Sequence, residues 1–196
     1  MIDKMNFKNK QGLIEQIDAI KDELYVCEIS LELVLNHYVY GGFNNTNRKS
    51  TLPDMSQQEI YWFVLEKLVA MVNQGSIHAK WLIGRELMQG WGFVMPDKAL
   101  GRFLVAFAAH EGCFDACHDM ARQYHHLNYG DRDIVIYWQH RADSDEAVGA
   151  VGEPLPLFIK NDDAPDGSLR RSVHLYSELS GEWEGYADLP KPICPN

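Results

Sequence analysis

A pattern of small and apolar residues that recurs along the chain is the feature that most constrains its fold. Steps of 4, 5, 8 and 11 positions from Ala79, Ala116 and Ser30 reach small, apolar or aromatic residues each time. Such steps keep residues on one face of a helix, so the pattern predicts three equivalent helices. The residues at the repeated positions are Ile83, Gly84, Leu87 and Gly90; Met120, Ala121, Tyr124 and Leu127; and Val34, Leu35, Tyr38 and Gly41.

A second helix is predicted after two of these three. Asp97 and Asp131 suit N-cap positions, because their side-chain oxygens can accept hydrogen bonds from backbone amides. Gly75 and Gly112 suit the position that follows a helix, where a left-handed conformation ends it. Steps of 4, 7, 11 and 12 positions from the two aspartates reach Gly101, Leu104, Ala108 and Ala109, and Val135, Trp138, Ala142 and Asp143.

The length of the repeated unit follows from these positions. Ala79 lies 37 residues before Ala116, which is the length of a helix–turn–helix repeat. The first unit is longer, and its extra residues fall in a polar segment, 42–55, that is rich in turn formers. That segment ends at Ser56 and Glu59, whose spacing is typical of a capping box at the start of a helix.

Residues 79–112 resemble a Sel1-like repeat, and residues 116–146 resemble one more loosely. The resemblance implies an all-α fold, a short right-handed α-solenoid of about three helix–turn–helix repeats, with tetratricopeptide repeats as the nearest alternative. In the first segment Leu87, Gly101 and Leu104 replace the tyrosine, alanine and tryptophan that the family usually has. The matching residues are Ala79, Gly84, Gly90, Gly92, Val94, Asp97, Ala108, Ala109 and Gly112, and then Ala116, Tyr124, Asp131, Trp138 and Ala142.

Two regions are expected from this pattern. Residues 1–146 form the repeat domain, with a capping helix at 11–24 and repeats at about 30–75, 79–112 and 116–146. Small residues such as Gly84 and Ala108 are expected to be buried where helices meet. Residues 147–196 hold six of the eight prolines and are expected to be mostly irregular and to pack on the repeats. One short element is expected near 168–179, with helix and strand both open.

Charge and composition limit the possible partners. The formal net charge is −10, which argues against nucleic acid and anionic lipid as partners and is compatible with a basic protein. An acidic surface that only maintains solubility is the alternative. The beginning of the sequence has no apolar segment of the secretory kind, and the longest apolar run, 100–109, is too short to span a membrane. We therefore expect a cytoplasmic protein with free thiols at its four cysteines.

A cluster of cysteines and histidines between residues 110 and 126 raises the question of a metal site or a reactive thiol. Cys113 and Cys117 are one helical turn apart, as zinc ligands can be, but no C-x₂-C pair is present. Buried, inert cysteines in the repeat core are the favoured interpretation, and a reactive Cys113 at a helix start is the alternative. The other members of the cluster are His110, His118, His125 and His126.

The register of the repeats predicts a binding ridge instead. If Ala79, Ile83 and Leu87 face the core, another face of the same helix is formed by Trp81, Arg85 and Met88. A shift of one repeat adds His118, Arg122 and His125. The resemblance implies that first helices line the concave surface, and Trp and Arg are enriched in binding hot spots. A buried Trp81 beside solvated arginines is the alternative.

These observations predict a protein-binding module without enzymatic activity, cofactor or metal. The resemblance to Sel1-like proteins implies an adaptor or an inhibitor, and a short acidic chain favours an immunity-type or regulatory inhibitor of a cognate protein, such as a basic toxin or effector. A scaffold in a signalling or secretion complex, a hydrolase and a Cys/His metal-binding protein are the alternatives. The oligomeric state stays open.

Overall fold

The computed structural model describes residues 8–19, 24–40, 52–89, 93–127, 132–142, 149–163 and 169–175. These residues are predominantly helical, which confirms the predicted helical class, and they include one small antiparallel sheet. No helix in this part of the chain combines the length and apolarity that a membrane span requires. The elements are α1 (Lys10–Ala19), α2 (Leu24–Val34), a π-helical turn (Leu35–Val39), α3 (Gln57–Val72), α4 (Ile77–Gln89), α5 (Lys98–His110), α6 (Phe114–Leu127), α7 (Arg132–Ala142), β1 (Leu157–Asp163) and β2 (Leu169–Leu175).

The chain divides into two compact units, residues 1–67 and 68–196. This division lies inside the region that the sequence pattern predicts as one repeat domain, 1–146. It falls within α3, so this helix contributes residues to both units.

In the first unit, helix α1 buries Leu13 and Ile17. Residues 20–23, which belong to the predicted capping helix at 11–24, lie outside the described residues. The loop at 42–51 lies outside them as well.

The predicted capping box forms at the start of α3. The Ser56 hydroxyl oxygen accepts a hydrogen bond from the Glu59 amide at 3.2 Å, and the Glu59 carboxylate accepts one from the Ser56 amide at 2.8 Å. Hydrogen bonds from the Ser56 backbone and side chain lower the pKa of Glu59. Each side chain thus satisfies a backbone amide that has no partner within the helix.

In the second unit, two glycines bring α4 and α5 into direct backbone contact. A Cβ atom at Gly84 would lie 2.8 Å from the Gly101 carbonyl oxygen, and one at Gly101 would lie 2.7 Å from the Gly84 carbonyl oxygen. Ala79, Ala108 and Ala109 are fully buried on the same two helices. The small residues therefore lie where the pattern predicts, at the contacts between helices.

The helix ends in this unit also follow the sequence. The Asp97 side chain accepts hydrogen bonds from the Ala99 and Leu100 amides, each at 3.0 Å, and so caps the start of α5. Gly75 and Gly112 have positive φ angles of 93° and 101° after α3 and α5, as their predicted position requires. Asp131, the other predicted N-cap, lies outside the described residues.

The C-terminal segment differs from its prediction, since it forms a β-hairpin. Strands β1 and β2 pair antiparallel, with Leu157 opposite Leu175 and Ile159 opposite Val173. The side chains of Leu157 and Val173 are buried, whereas that of Phe158 is exposed, so the strands alternate between core and solvent. Of the two open interpretations for 168–179, the strand is the one that forms within the described residues.

Backbone hydrogen bonds attach this segment to the helices of its unit. The Gly152 amide donates to the Gly75 carbonyl at 2.8 Å, and the Met95 amide donates to the Arg171 carbonyl at 2.8 Å. The Asn73 side chain donates to the Leu157 carbonyl at 3.0 Å and accepts from the Leu157 amide at 2.7 Å. The hairpin is therefore held beside the loop that precedes α5.

Candidate functional site: a cationic groove on three helices

Helices α4, α5 and α6 together line an open groove of about 400 Å³, called the cationic groove below. Four of its lining side chains are cationic, and one, Asp119, is a carboxylate. This is the reverse of the chain as a whole, whose net charge is −10. The lining residues are Arg85, Met88, Gln89, Lys98, Arg102, Asp119, Arg122 and Gln123.

Trp81, on α4, lies beneath the groove and supports Arg85. Its side chain is only 5% exposed, and its indole Nε1 donates a hydrogen bond to Asp119 Oδ2 at 2.7 Å. The Arg85 guanidinium carbon lies 4.6 Å from the centre of the indole ring. The alternative of a buried tryptophan is therefore correct, and the expected exposed Trp81 is wrong. Trp81 positions Arg85 from below by a cation–π contact.

Helix α6 supplies the opposite side. Arg122 is 70% exposed at its side chain, and its nearest guanidinium nitrogen lies 3.6 Å from Asp119 Oδ1. Gln123 Nε2 lies 3.8 Å from the sulfur of Met88 on α4. Asp119 therefore connects α6 to α4 through the Trp81 indole, while its other carboxylate oxygen faces Arg122 on its own helix.

Lys98 and Arg102 on α5 complete the groove, and the sequence pattern did not single them out. They are exposed and lie one helical turn apart, which places both side chains on one face. Neither side chain forms an ion pair with any residue in the described part of the chain. The predicted ridge omitted them because it was built from first helices alone. Their i, i+4 spacing at the start of a second helix was the available signal.

The structure thus brings together part of the predicted ridge. Arg85, Met88 and Arg122 line the groove, and Trp81 lies beneath it. His118 and His125 are exposed but do not line it. The His118 ring packs edge-on against Phe114, with 4.6 Å between ring centres. These two histidines follow the repeat register, yet the groove turns toward α5 instead.

A second pocket of about 620 Å³ lies between the loop before α5 and the hairpin and is called the hairpin pocket. Lys98 lines both pockets. The hairpin pocket also contains acids, but these already have partners. Asp97 caps α5, while Asp162 accepts from the Ser172 hydroxyl and pairs with Lys160 at 3.2 Å. These contacts, with the Ser172 hydrogen bond foremost, lower the pKa of Asp162.

Cys113 and Cys117 are buried in the helical core. Cys113 is 2% exposed and Cys117 is fully buried. Burial raises the pKa of the Cys113 thiol to about 12 and that of Cys117 to about 11. The alternative of a reactive Cys113 thiolate is therefore contradicted, because the thiol stays protonated at neutral pH.

The histidines near these thiols do not complete a ligand set. His118 is exposed on α6, and no group of three potential ligand side chains comes together among the described residues. His110 has a pKa lowered by burial and by the nearby Arg141 guanidinium. Arg141 also donates to the carbonyl oxygens of Ala109 and His110 at the end of α5. Arg141 thus satisfies carbonyl groups at the C-terminal end of α5, where His110 is the last helical residue.

Comparisons with known proteins do not assign this chain to a family. No protein-family model, no curated protein and no solved structure matches the chain. The cationic groove has four cationic side chains and one carboxylate, a larger excess of positive charge than the hairpin pocket with its Lys98, Lys160 and Arg170 against Asp97 and Asp162.

Proposed function

We propose that this protein is a non-enzymatic protein-binding module built as a short right-handed α-solenoid of about three Sel1-like repeats. The helix pairs α4–α5 and α6–α7, the buried small residues and the glycine contact between α4 and α5 support the repeat architecture. Stacked helix pairs expose long surfaces that suit protein partners.

The observation that carries the proposal is the preorganisation of Arg85 in the cationic groove. Its guanidinium rests on the indole of Trp81, and that indole is fixed in turn by Asp119. A side chain that is already ordered loses less entropy when a partner binds. Arginine beside an apolar neighbour such as Met88 is typical of interface hot spots.

The more specific proposal is a cytoplasmic, immunity-type or regulatory inhibitor that binds one cognate protein, with a basic toxin or effector as the leading candidate. It rests on the likeness to Sel1-like proteins and on the net charge of −10, which would steer a basic body toward this chain. An adaptor role uses the same groove, so the two are distinguished by the effect on the partner's activity.

Site-directed photo-crosslinking tests the binding class. A photoreactive residue replaces Met88, and the protein is irradiated in lysate of its source organism. We expect one polypeptide to be crosslinked in equimolar amount, and Arg85→Glu with Arg122→Glu to abolish the crosslink. Arg132→Glu is the matched control, because Arg132 is an exposed arginine on α7 that does not line the groove. Equal crosslinking in all variants would contradict the proposal, as would the lack of a crosslinked species.

The inhibitor role is tested on the crosslinked partner. Addition of the protein is expected to suppress that partner's toxicity or enzymatic activity at a one-to-one ratio, and the Arg85→Glu/Arg122→Glu variant to leave it active. A partner that is bound tightly but stays fully active would favour the adaptor and exclude the inhibitor.

A further inference from the structure

The charge inside the cationic groove differs in sign from the charge of the whole chain. Its lining holds four cationic side chains against the single carboxylate of Asp119. At physiological ionic strength charges more than about 8 Å apart are largely screened, so a ligand at contact distance responds mainly to the groove itself. The net charge of −10 therefore does not determine which ligand this groove selects.

The carboxylate of Asp119, the one acid that lines the groove, already has partners within the protein. Asp119 accepts from the Trp81 indole at 2.7 Å and lies 3.6 Å from Arg122. Lys98 and Arg102 have no such acidic partner among the residues that the structure describes. Lys98 and Arg102 thus bring positive charge to an open space, and an anionic ligand would supply the complement.

We infer that the cationic groove binds an acidic peptide segment, rich in Asp and Glu, that the partner protein presents. Arginine donates parallel hydrogen bonds to a carboxylate, a geometry that the exposed Arg102 and Arg122 can each offer. The Met88 thioether and the amides of Gln89 and Gln123 lie among these cations and suit the peptide's apolar groups and backbone. This inference rests on the proposed function, since it names the partner's contact segment at the same site.

A peptide fits these observations better than a nucleic acid. A nucleic acid extends beyond the groove and carries one charge per phosphate, so the acidic remainder of the surface would repel it. A short peptide segment can place its carboxylates inside the groove alone. The groove also combines cations with a thioether and two amides.

Fluorescence anisotropy with a labelled oligoglutamate peptide tests the inference on the full chain. We expect saturable binding that weakens as salt is added, because the attraction is electrostatic. Arg102→Gln, Lys98→Gln and Arg122→Gln should each weaken binding by about threefold, as for exposed ion pairs. Arg132→Gln on α7 should leave it unchanged. Labelled oligolysine and a labelled single-stranded oligonucleotide of equal charge are titrated in separate assays as comparison ligands.

A variant that is expected to bind oligoglutamate more tightly distinguishes a change in binding from the effect of misfolding. Asp119→Asn keeps an oxygen that can accept from the Trp81 indole, but it removes the one carboxylate of the groove. We expect oligoglutamate affinity to rise by about threefold. Damage to the fold would lower the affinity instead, so a gain cannot come from instability.

Several results would overturn the inference. These are oligoglutamate binding that strengthens with salt, preference for oligolysine or the oligonucleotide, and equal affinity in Arg102→Gln and the parent. Failure of the proposed function gives a different result, namely no crosslinked partner at Met88 while oligoglutamate still binds. If a partner is crosslinked through the groove but oligoglutamate does not compete with it, the binding module stands and the acidic segment is wrong.

Discussion

Residues 68–196 use positive charge in two contrasting ways. Lys80 is fully buried, its Nζ lies 2.5 Å from Glu111 Oε2, and it is 4.9 Å from the centre of the Phe107 ring. The groove cations Lys98 and Arg102 are exposed and have no ion pair within the described residues. If Lys80 serves the fold and the groove binds a ligand as proposed, stability and binding should respond to different substitutions.

The buried pair also organises the C-terminal segment. The Glu111 carboxylate, which accepts from Lys80, accepts from the Glu153 amide at 2.6 Å as well. A Cβ atom at Gly152 would collide with that carboxylate. Lys80 therefore connects α4 to the turn after α5 and to the chain that leads into the hairpin.

Replacement of Lys80 should give the largest effect on stability. Lys80→Met keeps most of the side-chain volume but leaves Glu111 without its cation, and loss of one member of a buried pair costs about 3 kcal/mol. We expect the free energy of unfolding, measured by urea denaturation, to fall by that amount. Lys98→Met is the matched control and should change it by less than about 0.5 kcal/mol. Similar losses in both variants would remove the distinction between the two uses of charge.

The glycine contact between α4 and α5 should give the next largest effect. Gly84→Ala forces a methyl group within 2.8 Å of the Gly101 carbonyl oxygen and of the Val105 side chain, so the helices must separate. Overpacking of this kind costs about 2 kcal/mol. Because both helices line the groove, we also expect weaker oligoglutamate binding, which Lys80→Met should not cause in the folded state.

The matched control for this variant lies in α1. Gly12→Ala has a neighbour only at 3.4 Å and replaces a helical glycine, so it should raise stability by about 0.5 kcal/mol. If Gly84→Ala is as harmless as Gly12→Ala, α4 and α5 are not in direct backbone contact at Gly84.

The helical part of the fold was predictable because it depends on local signals. The Asp97 cap, the left-handed Gly112 and the close contact at Gly84 each follow from the type and spacing of a few neighbouring residues. The hairpin was harder to predict, because the sequence near 168–179 is compatible with both a helix and a strand. Proline in the same segment suggested irregular chain, yet Pro154 and Pro156 precede β1 and do not interrupt it.

The groove was predictable only in part, for a similar reason. Arg85 and Arg122 were found because they occupy related positions in successive repeats, as the register predicts. Lys98 and Arg102 come from a different helix, and their approach to the groove depends on how α5 packs against α4. The exposure of Trp81 was predicted wrongly because helical spacing does not show that Asp119, on another helix, would bind its indole.

The pH dependence of stability tests whether this core excludes unpaired charge, because it contains the buried Cys113 thiol. Burial raises the pKa of Cys113 from 9.0 to about 12, so its thiol ionises more readily in the unfolded chain. The contribution of the protonated Cys113 thiol to the stability of the folded protein is complete below pH 9.0 and is lost as the pH rises toward about 12. At pH 10 we expect a loss of about 1 kcal/mol relative to pH 8.

The difference between parent and Cys113→Ala isolates this contribution from other groups that titrate in the same range. The parent should lose more stability than the variant between pH 8 and pH 10, in urea denaturation at each pH. Parallel pH profiles would mean that Cys113 ionises equally well in the folded protein. That result would also restore the reactive thiol as an interpretation.

Neutralisation of one groove cation should have the smallest effect on stability and yet a clear effect on binding. Arg102→Gln removes an exposed side chain that has no ion pair with any described residue, so we expect unfolding free energy to change by less than about 0.5 kcal/mol. It can even rise slightly, because like charges on Lys98 and Arg102 one turn apart repel each other. Urea denaturation and oligoglutamate binding on the same sample give both quantities. A large loss of stability would show that Arg102 serves the fold as Lys80 does, and would end the contrast between them.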